Sequence, residues 1–140
     1  MKSRGFTLIE LLVVIAIIGV VASIILVSIY SAKDRGSNTK IQAQLFGLRG
    51  AAEYYYNANG FNFSNASDCS SGMFADPNSK MNVYTNSANY PMGTILECRA
   101  NNLAYVVQAN LVGGGYWCID SLGVSIPKST PLGASTYNCN

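Results

Sequence analysis

Gly5-Phe6-Thr7-Leu8-Ile9-Glu10-Leu11-Leu12-Val13-Val14-Ile15-Ala16-Ile17-Ile18-Gly19 follows a short basic leader, and its reading decides the fold. Between residues 6 and 30 the one formal charge is Glu10. The twenty residues 11–30 carry none, with Gly19, Ala22, Ser23 and Ser28 as weak interruptions. At about 1.5 Å per residue, such a helix spans a hydrocarbon core of about 30 Å. The leader Met1-Lys2-Ser3-Arg4 favours a cytoplasmic N-terminus, although Lys33 and Arg35 beyond the span weaken the asymmetry. A plain anchor and a secretory signal cleaved after Ala22 are the simplest readings. Against the signal, the apolar run continues through Ile24-Ile25-Leu26-Val27. Neither reading accounts for Glu10, because a carboxylate at mid-membrane costs about 2.5–3.5 kcal/mol and by default marks a partner or a function.

The 140 residues leave room for one domain beside this segment. Nine Lys and Arg face seven Asp and Glu, and without Lys2 and Arg4 the two sets balance. No basic run is present, so neither nucleic acid nor anionic lipid is expected to be drawn by a global field. Cys69, Cys98, Cys118 and Cys139 are dispersed, form no C-x-x-C and have no histidine to join them, which argues against zinc. Behind a membrane segment they read instead as two disulfides in an oxidising compartment. No catalytic motif or cofactor signature occurs. Asp68, Asp76, Glu97 and Asp120 read as solvated loop or sheet-edge charges rather than metal ligands.

Beyond the span, Ile41, Leu45, Leu48, Ala52 and Tyr55 recur at helical spacing, which predicts one helix from Thr7 to about Tyr56, with its register least secure near Gly36. Asn59-Gly60 ends it and opens a Ser/Asn-rich loop to about Lys80 that carries two formal glycan patterns, at Asn62 and Asn65. Four strands are predicted, over residues 94–99, 103–112, 116–121 and 124–126, joined as antiparallel hairpins. Alternation of Tyr105, Val107, Ala109 and Leu111 with Val106, Gln108 and Asn110 predicts one covered face, with the helix as its cover. After Pro127 an irregular tail is expected. Tyr54-Tyr55-Tyr56 reads as core and subunit packing.

The Gly5-Phe6-Thr7-Leu8-Ile9-Glu10 stretch and the apolar run after it resemble the class III signal of type IV pilins and pseudopilins. The resemblance covers about the first thirty residues, and it implies an α+β fold with a long N-terminal helix packed on a small antiparallel sheet. It also implies a leader over residues 1–5, a transmembrane and assembly helix over 6–30 and a globular head over 31–140. A membrane-embedded peptidase and methyltransferase would cut between Gly5 and Phe6 and methylate Phe6. The new Phe6 ammonium of one subunit would then meet Glu10 of another, so that Glu10 sets register during assembly. The implied product is a structural homo-oligomeric filament subunit, not an enzyme, with no cofactor and an inner-membrane assembly platform as partner. It would sit in the inner membrane, N-terminus inside, and then in an extracellular pilus or a periplasmic pseudopilus. A pseudopilin or minor pilin is the rival within the class, and a monomeric membrane-anchored binding domain the rival outside it. Four cysteines allow three pairings. The sequence tilts toward Cys118–Cys139, as in the disulfide-bounded C-terminal region of many pilins, with Cys69–Cys98 pinning the helix-to-sheet loop.

Overall fold

The computed structural model describes residues 5–140; the leader residues 1–4, including Lys2 and Arg4, lie outside the described residues. The chain divides after Arg35 into two compact units. Helix α1, Leu8–Ala58, runs unbroken through Gly36. In the first unit every described residue is exposed.

In the second unit Ile41, Leu45, Leu48, Ala51 and Ala52 form the buried stripe of α1. Full burial stabilises each of the larger aliphatics by about 1.5–3 kcal/mol. Gly47 lies on this helix facing Tyr84, and a Cβ there would come within 2.4 Å of the Tyr84 ring, which would have to shift. The helix stops by a Schellman-type turn. Gly60 takes φ +66° and the Phe61 amide donates back to the Tyr56 carbonyl at 2.9 Å. The hydrophobic contact that accompanies such turns is aromatic: Tyr56 meets Phe61 edge-on at 5.5 Å and stacks on Phe63 at 4.5 Å. Phe63 in turn packs edge-on against Tyr105.

The sheet is a four-stranded antiparallel meander of β1 Leu96–Ala100, β2 Tyr105–Asn110, β3 Tyr116–Asp120 and β4 Ser125–Lys128. All four predicted strands are present, within a few residues of their expected ends. β4 continues through Pro127, opposite Trp117, to Lys128, where the sequence predicted that irregular chain had begun. An edge strand can accommodate that proline because it has no further neighbour to bond. At the other edge Ala66 pairs with Ala100, and Cys69 is bonded to Cys98. Asn38 clamps the β2–β3 turn to α1, its side-chain amide donating to the Val112 carbonyl and accepting from the Val112 amide.

Two expectations are corrected. The Ser/Asn-rich loop is not formless: it contains a one-turn helix at Gly72–Ala75, and just beyond its expected end lie a short α2, Met81–Tyr84, and a further helical turn at Ser87–Asn89. Asp68, Asp76 and Asn86 side chains accept from the Ser70, Ser79 and Ala88 amides, so local turns replace periodic structure while Met73, Phe74 and Met81 enter the core. The sheet is also covered on both faces. Tyr105, Val107, Ala109 and Ile119 join the α1 stripe, and Val106 and Cys118 pack beneath the C-terminal tail with Leu132 and Cys139.

Candidate functional site

Gly5, Phe6 and Glu10 are all exposed, on the approach to α1 and in its first turn. A side chain added at Gly5 would meet no described residue within 4 Å. Thr7 and Glu10 form a reciprocal capping box: the Thr7 amide and hydroxyl both donate to Glu10 Oε2, at 2.9 and 2.7 Å, and the Glu10 amide donates to Thr7 Oγ1 at 3.3 Å. Within the chain, Glu10 thus answers to Thr7, a neutral partner. The T-x-x-E spacing carries this signal in the sequence, where the missing cation is the competing explanation. Oε1 bonds no described residue, and Phe6 takes no part in the box. By length and composition α1 is apolar enough to cross a membrane.

The cysteines lie in the second unit, bonded Cys69–Cys98 and Cys118–Cys139 with separations of 29 and 21 residues. The second bond is reinforced by a carboxylate that composition alone assigns to solvent. Asp120 is 1% exposed, its Oδ1 accepting from the Leu122 and Val124 amides and its Oδ2 from the Cys139 amide. Lys128 Nζ donates to the Cys139 carbonyl at 2.8 Å, and Arg99 donates to the Gly133 carbonyl. Together these fasten the tail over the sheet. Asp68 stays exposed, its carboxyl held below the usual range by hydrogen bonds from Ser70. At Asp76 burial pulls upward but the Ser79 and Asn78 bonds outweigh it, so its carboxyl also lies low. Burial pushes Tyr105 up to about 12. Of the three consecutive tyrosines, Tyr56 packs in the aromatic stack, Tyr55 is half-buried and Tyr54 is exposed.

Residues 1–26 match the family model of the prokaryotic N-terminal methylation motif. The chain is 39% identical over 54 residues to type II secretion system core protein G of Klebsiella pneumoniae, covering 39% of each chain. To the same-named protein of Escherichia coli it is also 39% identical over 54 residues, or 37% of that protein. It thus spans under two-fifths of the length of these secretion relatives. To the type IV wide pilus major component PilA4 of Thermus thermophilus it is 33% identical over 90 residues, 63% of this chain and 69% of that one. The chain belongs to the type IV pilin and pseudopilin family. No solved structure matches. The exposed apolar half of α1 and the α+β head are the two parts this family membership has to join.

Proposed function

We propose that this family member is a structural subunit of a type IV pilus, anchored in the inner membrane with its N-terminus inside before assembly and extracellular afterwards. The observation that carries the pilus reading is the length of the PilA4 match. Ninety residues cannot be accommodated within residues 1–58, so the likeness extends into the head. The secretion proteins match at higher identity but over 54 residues only, which favours a pseudopilin as the second reading.

In the proposed cycle a prepilin peptidase cuts between Gly5 and Phe6 and methylates the new amine, which keeps its charge. The Phe6 ammonium of a docked subunit then meets Glu10 of an incoming one. Two desolvated charges that pair gain little net energy, so the pair's contribution is to register. The assembly platform, the peptidase and further copies of the chain are the partners, and no catalytic role is assigned.

Intact-mass analysis and N-terminal sequencing test the processing, with a mature chain starting at methylated Phe6 expected; a chain starting at Ser23 would defeat the reading. Gly5→Val should leave precursor in the inner membrane. Glu10→Ala and Glu10→Leu should both be processed yet fail to appear in sheared surface filaments, and normal polymerisation of both would remove Glu10 from the register role. Filaments confined to the periplasm would favour the pseudopilin.

A further inference from the structure

The turn that ends α1 contains the one asparagine of this chain that a glycine follows, Asn59-Gly60. Both residues are exposed, and a Cβ at Gly60 would meet nothing, so the Gly60 backbone is open to approach. The Gly60 amide makes no hydrogen bond among the described residues. This sets it apart from the amides following most other loop asparagines. Ala66, Tyr90 and Leu111 donate to backbone carbonyls, and Ser79 and Cys139 donate to aspartate oxygens. At Asn86 and Asn101 the side-chain oxygen is engaged instead, by the amides of Ala88 and of Leu103 and Ala104. Asn59 is held by a single side-chain bond, Nδ2 donating to the Tyr55 carbonyl at 2.9 Å, which leaves its carbonyl carbon open.

We propose that Asn59 is a site of spontaneous modification through succinimide formation. The Gly60 nitrogen attacks Asn59 Cγ, the bond from Cγ to Nδ2 breaks, and ammonia leaves with the Gly60 proton. Water then opens the ring at either carbonyl, giving aspartate or isoaspartate, and neither oxidant nor enzyme is required. The helical bonds from the Asn59 amide and side chain to Tyr55 oppose the attack, so the reaction proceeds from the frayed last turn. Its product replaces a donor to the Tyr55 carbonyl with a negative charge at the C-terminal end of α1, where the helix dipole disfavours one. Isoaspartate also adds a methylene to the backbone beside the Tyr56–Phe61 contact. Conversion therefore loosens the aromatic turn that joins helix to head.

The test uses the full chain in detergent, aged in mildly alkaline buffer at physiological temperature, with peptide mapping that separates asparagine, aspartate and isoaspartate. Asn59 should convert before every other asparagine, about ten-fold more slowly in the folded chain than in the denatured one, as a fraying terminal turn requires. The converted fraction should melt at a lower temperature than the unconverted one. Asn59→Gln should fold as the parent does and accumulate no product in this peptide. Earlier conversion elsewhere, or an intact Asn59 in folded chains under conditions that convert it when denatured, would overturn the proposal. An unchanged melting temperature after conversion would overturn its structural consequence.

Discussion

The two faces of the sheet are buried by different means. Beneath α1 the cover is a periodic stripe, and Tyr105, Val107, Ala109 and Ile119 meet Ile41, Leu45 and Leu48 in an apolar core. Beneath the tail the cover is irregular chain, and Val106, Cys118, Leu132 and Cys139 share their face with Gln108, Asp120 and Glu97. Gln108 is fully buried with both amide atoms lacking a partner among the described residues, as does Glu97 Oε2. An apolar face holds by area. The tail face holds by fasteners, one covalent and several charged, and individual fasteners should therefore matter there more than any single apolar contact.

The comparison is broken most severely by a cavity on the helix side. Leu45→Ala should destabilise the head by about 3–5 kcal/mol in a denaturant titration followed by near-UV circular dichroism. A loss below about 1 kcal/mol would mean that the α1 stripe is not the principal core. On the tail side, replacing Cys118 and Cys139 together by serine should remove about 3 kcal/mol, from the chain-entropy estimate for their 21-residue separation. Limited proteolysis should then cut residues 129–138 first, and cleavage starting in the 59–80 loop instead would contradict the fastener account. Asp120→Asn keeps the shape but weakens charge-assisted acceptance from three amides, for an expected loss of about 1.5–3 kcal/mol. Equal stability of the variant would make this carboxylate incidental. The smallest effect at neutral pH is the titration of Tyr105 on the helix side. Its folded value is raised from 10.0 to about 12, so its contribution is intact below pH 10 and lost as pH rises through 12. Tyr105→Phe should flatten that alkaline decline, and an unaltered decline would assign it to other groups.

The same contrast explains what could be read from the sequence. The α1 stripe and the strands are written in spacings of three or four and of two, signals confined to neighbouring residues. Gly5, Phe6 and Glu10 are conspicuous because residue types unlike their surroundings fall at a fixed interval. The cover supplied by Leu132 and the burial of Asp120 depend on residues brought together across the fold, for which no local period exists. Asp120 has a loop residue's composition and a core residue's environment, and only its amide donors distinguish the two. The Met73, Phe74 and Met81 side chains are hidden for a related reason, since isolated apolar residues in a Ser/Asn-rich stretch give no pattern. The capping box is different, because Thr7-x-x-Glu10 is legible and competes with a second explanation of the same carboxylate.

The sheet's two edges bear on how crowded heads would behave along the proposed filament. β4 presents Pro127, which has no amide hydrogen to offer a neighbouring strand, and β1 is occupied by Ala66 and crowded by the Cys69–Cys98 bond. A second copy pressed against either edge finds few open backbone positions to zip onto. In the proposed filament, adjacent heads would then meet through side chains, whose contacts can be made and released one subunit at a time. A fibre grown by stepwise addition at a membrane can in this way remain a file of separate domains instead of fusing into one continuous sheet.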